Sequence, residues 1–236
     1  VIARGLPLAG RRVLVTRPTE QATGLVAGIG AAGGEALVLP VIGIVTAGDA
    51  ALARARDCFR RLDRIDMLIF ISRNAVARGL ALLRECGGHI GQQQLFTVGA
   101  GSARDLQQAG MPAPCYPRGG IGSEALLALP QLREERVRGR RICIVRGEGG
   151  RELLAGTLRQ RGAEVCYAEA YRRIPAEVDR GPLLQSLRAR RLDCLIVTSA
   201  EGLRNLSAMI GPELQPGFRR IPLLVPGARL ASLARR

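Results

Sequence analysis

Four short stretches carry the residue types from which an anion site is built. Val98-Gly-Ala-Gly-Ser-Ala103 and Arg146-Gly-Glu-Gly-Gly-Arg151 each lead from an apolar run into an amphipathic one. Ser72-Arg-Asn74 and Thr198-Ser199 occupy the same kind of position and add hydroxyl donors. The first N–H groups of a helix have no partner within it, so they bind an anion without needing a charged side chain. Any one of these serines and threonines is equally an ordinary helix cap. Taken together they point to a ligand, because open α/β sheets bind at the carboxyl ends of their strands. The candidate binding residues are therefore Arg17, Ser72, Gly99, Ser102, Arg146, Gly149, Thr198, Ser199 and Gly227.

Tyr171 stands apart from these turns. The chain has three tyrosines and no tryptophan, and this one ends an extended apolar segment beside Arg172 and Arg173. The residue type allows a hydrogen-bond donor in a cleft or a packing residue at a domain joint. Other constellations carry less. Gly28-x-Gly30-x-x-Gly33 has the dinucleotide spacing, but it falls at the far end of a helix, where no amide faces a pyrophosphate. His89, the single histidine, sits among glycines without the partners of a triad. The six cysteines form no C-x-x-C pair and no zinc set with that histidine, so reduced, buried thiols and no metal are expected.

The elements that must position these residues are repeated. Arg12-Val-Leu-Val-Thr-Arg17 lines up with Arg141-Ile-Cys-Ile-Val-Arg146, 129 positions on, and Gly33-Gly-Glu35 with Gly162-Ala-Glu164. Asp66-Met-Leu-Ile-Phe-Ile-Ser72 lines up with Asp193-Cys-Leu-Ile-Val-Thr-Ser199 at an offset of 127, and Gly99 with Gly227 at 128. An internal duplication follows. Its strands are continuous apolar runs, the pattern of strands covered on both faces. Alternation with amphipathic stretches predicts parallel sheets flanked by helices. In Glu152–Arg161, for instance, Leu153, Leu154 and Leu158 form one stripe and Gly162 a C-cap. The second copy stops at Arg236, the counterpart of Gln108, so a final strand and helix of the first copy are expected to lack a second.

Leu37–Val45 and Val165–Ile174 are longer than the other runs and occupy matching places. Each is expected to pass from one domain into the other, giving a discontinuous domain of residues 1–42 plus 171–236 and a second of 43–170. No apolar run approaches the roughly 20 residues of a membrane span, and the first residues lack a secretory signal, which predicts a cytoplasmic protein. The net charge is +15, with arginine supplying every one of the 35 basic residues. Such a field attracts polyanions. Nucleic acid is disfavoured as the partner, because aromatics are scarce and no recognition motif is present.

In order along the chain these motifs resemble the uroporphyrinogen-III synthase family. The resemblance rests on Val13-Leu-Val-Thr-Arg-Pro18, Phe70-Ile-Ser-Arg-Asn-Ala-Val76, Val98–Ala103 and Ser123-Glu-Ala-Leu-Leu127. It continues through Arg146-Gly-Glu-Gly-Gly-Arg-Glu-Leu-Leu154, Arg161–Val165, Tyr171-Arg172 and Val197-Thr-Ser199. It implies two α/β domains joined by a pair of extended strands, no cofactor, and a linear tetrapyrrole, hydroxymethylbilane, as small-molecule substrate. It implies loss of the terminal hydroxyl, inversion of the last pyrrole ring and ring closure; nothing in the sequence points to an oligomer, and a monomer is expected. A tyrosine at the place of Tyr171 is implied to assist departure of the hydroxyl, and main-chain amides to hold carboxylates. The rival reading is a non-catalytic two-lobed binder of a small polyanion.

Overall fold

Apolar runs with both faces covered set the architecture. The computed structural model describes residues 6–120, 122–212 and 214–235. The chain begins with β1 (Arg12–Val15), α1 (Thr19–Ala31), β2 (Glu35–Val38), β3 (Ile42–Thr46) and α2 (Asp49–Arg60). It continues with β4 (Met67–Phe70), α3 (Arg73–Glu85), β5 (Gln94–Thr97), α4 (Ala100–Gln108), α5 (Ser123–Leu127) and α6 (Glu134–Val137). There follow β6 (Arg141–Gly147), α7 (Leu153–Gln160), β7 (Glu164–Pro175), α8 (Gly181–Arg188) and β8 (Cys194–Ile196). The last elements are α9 (Ala200–Ile210), α10 (Gln215–Phe218), β9 (Leu223–Leu224) and α11 (Ala228–Ala234). Two compact units result: Val1–Gly43 with Ile174–Arg236, and Ile44–Arg173.

In the first unit the sheet order is β2-β1-β8-β9, with β1 parallel to both neighbours. Leu14 points into a core with Leu183, Leu195 and Leu206, whereas Val13 and Val15 point into a core with Ala22 and Ile29. In the second unit the order is β3-β7-β6-β4-β5, and its last four strands repeat the order of the first unit. Here Leu68, Phe70, Cys143 and Val145 face the α2–α3 side, and Met67, Ile69, Ile142 and Ile144 face the opposite core. Burial on both faces explains the unbroken hydrophobicity. Each such fully buried large side chain is worth about 1.5–3 kcal/mol.

The duplication extends to ion clasps at the amino ends of the strands. Asp193 accepts from the Arg12 backbone N–H at 2.8 Å and from Arg11 Nη1 at 2.7 Å. Asp66 accepts from the Arg141 N–H at 2.8 Å and from Arg140 Nη1 at 2.9 Å. Arg12 is paired with Glu35, as Arg141 is with Glu164. Each clasp ties the strand-leading arginines to a neighbouring strand of the same sheet.

Within Leu37–Val45 the chain leaves β2 at Leu39-Pro40-Val41 and passes into β3, which belongs to the other sheet. Proline has no N–H for a sheet ladder, which suits this break. In α7 the buried stripe is Leu154 and Leu158, while Leu153, at the first helical position, is 38% exposed. Gly162 ends that helix at φ +83°, and the Ala163 N–H bonds back to the Leu158 carbonyl, as a left-handed C-terminal cap requires.

Candidate active site

In the second unit the chemistry-bearing residues gather where β4 and β6 end. Ser72 caps α3, its Oγ accepting the Ala75 N–H at 3.0 Å. The same Oγ lies 2.9 Å from the Tyr171 hydroxyl. Since the cap leaves Ser72 both a free lone pair and its own proton, the bond between the two hydroxyls can run in either direction. Tyr171 is fully buried, packed among residues that include Phe70 and Val145. Room for its ring comes from Gly147, where a Cβ would stand 2.6 Å from the ring carbon Cε2. A register shift at Arg146/Gly147 and a 2.7 Å bond from the Glu148 N–H to the Tyr171 carbonyl fix the approach. The Arg173 guanidinium carbon lies 6.0 Å from the ring centroid.

Arg146 is buried, and its charge is used locally. Its Nη1 donates to Glu152 at 3.0 Å, its Nε to the Gly147 carbonyl at 3.2 Å and its Nη2 to the Gly149 carbonyl. Its Nε lies 3.8 Å from a Glu169 oxygen, and its guanidinium stacks 4.5 Å from the centroid of Tyr167. These bonds hold the glycine turn, in which Gly149 takes φ +69°. The Tyr167 hydroxyl donates to Glu152. That bond, with Arg146, holds the Glu152 carboxyl below the usual range. Burial, and then Glu152, pushes the Tyr167 phenol up.

The remaining turn of this unit runs from β5 into α4. Gly99 is the N-cap residue in extended conformation, its carbonyl bonded by Thr97 Oγ1 at 3.1 Å. Ser102, one turn into the helix, is buried.

In the first unit the corresponding turns are more open. Ser199 caps α9, accepting the Gly202 N–H at 3.0 Å, and Gly227 caps α11 with φ 172°, beside 174° at Gly99. Thr198 is exposed, and half-buried Arg17 makes no ion pair among the described residues. Thr16 Oγ1 donates to the Ile196 carbonyl at 2.8 Å, bracing β1 against β8 just before Arg17. All three tyrosines lie in the second unit.

Of the expected residues, the structure joins Tyr171 with Ser72 and Arg146 with Gly149. Gly99 and Ser102 share one turn, and Thr198 and Ser199 another. Gly147 was not singled out from sequence; its lack of a side chain matters only once Tyr171 is seen against it. The larger hollows lie elsewhere. A cavity of about 810 Å³ in the first unit, lined by Ser186, Asp193 and Pro222, opens at the amino ends of β8 and β9. One of about 530 Å³, lined by Asp66, Gln93 and Gln94, does the same at β4 and β5. Neither includes a strand-end candidate. His89 is exposed on a loop; the six cysteines are free, but only Cys143 is buried as expected of all, and half-buried Cys58 and Cys166 converge on it.

Duplicated parallel α/β units, with glycine- and hydroxyl-bearing turns leading from their strands into helices, define the class of protein. The comparisons specify it further. A family model described as uroporphyrinogen-III synthase HemD matches residues 24–236. Uroporphyrinogen-III synthase of Salmonella typhimurium is 34% identical over 225 residues, covering 94% of this chain and 90% of that protein. The Escherichia coli enzyme is 32% identical with the same coverage. Among solved structures, a mutant uroporphyrinogen III synthase of Thermus thermophilus is similar with TM-score 0.62 and 22% identity, over 95% of this chain and 88% of that one. The Helicobacter pylori enzyme aligns with TM-score 0.52 and 13% identity, over 96% and 99%. The chain belongs to the uroporphyrinogen-III synthase family and is an enzyme of porphyrin biosynthesis. A non-catalytic binder is therefore not favoured. No helix among the described residues is long and apolar enough to cross a membrane.

Proposed function

We propose that this chain converts hydroxymethylbilane to uroporphyrinogen III, with the hydroxyl pair Tyr171–Ser72 serving the leaving group. In this reading the terminal hydroxyl receives a proton and departs as water, and the last pyrrole closes the ring in inverted orientation. The observation that carries the assignment of roles is the 2.9 Å contact between Tyr171 and Ser72 beyond the carboxyl end of β4. Tyr171 is covered, so its proton reaches the leaving oxygen through Ser72, which is half-buried. A hydroxyl relay of this kind needs no metal, cofactor or carboxylate pair.

The substrate carboxylates are assigned to the strand-end turns of each unit. Arg17, Thr198, Ser199 and Gly227 serve in the first unit, and Gly99 and Gly149 in the second. Arg146 acts by holding the Gly149 turn in shape and Ser102 by packing α4 behind Gly99, since neither side chain is open to solvent. The +15 field draws a multiply charged substrate toward the protein. Most of the catalytic advantage lies in orientation, because the uncatalysed closure gives the unrotated isomer. The two units are taken as the domains of a single cytoplasmic chain that acts as a monomer without nucleic acid.

Freshly generated hydroxymethylbilane, with chromatographic separation of the oxidised uroporphyrins, tests the reading. Predominantly type III product is expected; type I alone from the folded chain would overturn it.

A further inference from the structure

Three thiols from three separate elements meet inside the second unit. Cys58 lies near the end of α2, Cys143 within β6 and Cys166 near the start of β7, and their sulfur atoms all lie within 4.8 Å of one another. Cys143 and Cys166 are register partners on neighbouring strands, so their side chains leave the sheet on one face. That face is the one covered by α2, which brings Cys58 over the pair. Cys143 is completely buried, while Cys58 and Cys166 are half-buried. These two also line a cavity of about 370 Å³ with Asp57, Arg61, Arg64 and Arg141. An ion entering that cavity therefore meets two reachable sulfurs with a third behind them.

We propose that Cys58, Cys143 and Cys166 form a three-thiolate site for a soft d10 ion, with Cu(I) the best match. Thiolates select Cu(I) over the harder divalent cations. A structural zinc site is closed by four ligands. Among the described residues no histidine or carboxylate joins the three sulfurs. Three sulfurs placed about 2.3 Å from a central ion in one plane stand about 4 Å apart, within the observed spread. Three thiolates around a monovalent ion leave excess negative charge, and the cavity wall sets three arginines against two carboxylates, Asp57 and Glu164. Each thiol that becomes a ligand releases its proton to solvent.

Anaerobic titration of the whole chain with Cu(I), in competition with bicinchoninate, tests the site. One Cu(I) per chain is expected to resist the competitor and to show near-ultraviolet thiolate-to-copper absorption. Cys58→Ser and Cys166→Ser should each weaken binding by more than the roughly 10–100-fold that loss of an outer-shell partner costs. Cys86→Ser and Cys115→Ser, outside the cluster, should leave it unchanged. Cys143→Ala checks the buried ligand without placing a hydroxyl in the core, with circular dichroism confirming the fold of every variant. The proposal fails if the unaltered chain yields all its Cu(I) to the competitor, or if the Cys58→Ser/Cys166→Ser double variant binds as tightly as the parent.

Discussion

Ser72 in the second unit and Ser199 in the first cap α3 and α9 through bonds of the same 3.0 Å length, yet only Ser72 meets a tyrosine. Around Ser72 the strand ends are filled: Tyr171 is fully buried, and Arg146 is bonded within its own turn. Around Ser199 they are open, with Thr198 exposed and Arg17 half-buried. Sheet order, helix caps and aspartate clasps persist in both copies, while the side chains set on them have diverged. A shared frame constrains backbone positions and leaves the strand-end side chains free to take different tasks. Proton delivery is accordingly assigned to the second unit and carboxylate holding chiefly to the first.

The comparison is most sharply broken at Gly147. Gly147→Ala would place a methyl 2.6 Å from the Tyr171 ring, and overpacking of this kind costs about 1–3 kcal/mol. Both a lower denaturation midpoint and loss of activity are expected, whereas Gly227→Ala, whose Cβ meets nothing within 4 Å, should be mild by the same two assays. The aspartate clasps test the part that is shared. Asp66→Ala and Asp193→Ala each remove bonds to a charged acceptor and should cost about 1.5 kcal/mol. Hydrogen exchange should register the first loss in the second unit and the second loss in the first. Ser72→Ala and Ser199→Ala each remove a cap worth about 1 kcal/mol. The first should also lower kcat, and the second should raise KM with kcat little changed.

The smallest effect is a pH dependence. The Arg12 backbone N–H, and then Arg11, hold the Asp193 carboxyl below the usual range. A lowered folded-state pKa contributes stability that is complete above the unfolded value of about 3.9 and is lost as pH falls through the lowered one. Stability of the first unit against melting should therefore fall below about pH 4, and Asp193→Asn should flatten that dependence.

Much of the frame was legible in the sequence because burial on both faces leaves unbroken apolar runs such as Met67–Phe70 and Ile142–Val145, and because those runs recur in register. The passage of Leu37–Val45 from one sheet to the other could be read from its length and matching place, but the point at which the strand stops, Leu39-Pro40-Val41, could not, since the run is apolar on both sides of the proline. The caps at Ser72 and Ser199 could be read from their place between strand and helix. The meeting of Tyr171 with Ser72 could not, as 99 positions separate them and the space is made by an absent side chain at Gly147. The cysteine trio was hidden for a similar reason: motif spacing detects ligands on one element, and Cys58, Cys143 and Cys166 come from three.

The assignment of chemistry to the second unit is tested most directly by Tyr171→Phe, assayed with isomer-resolved product analysis under saturating hydroxymethylbilane. Removing a proton donor of this kind should lower kcat by about a hundredfold, with KM little changed and the fold intact. Full turnover to the type III isomer by that variant would contradict the account.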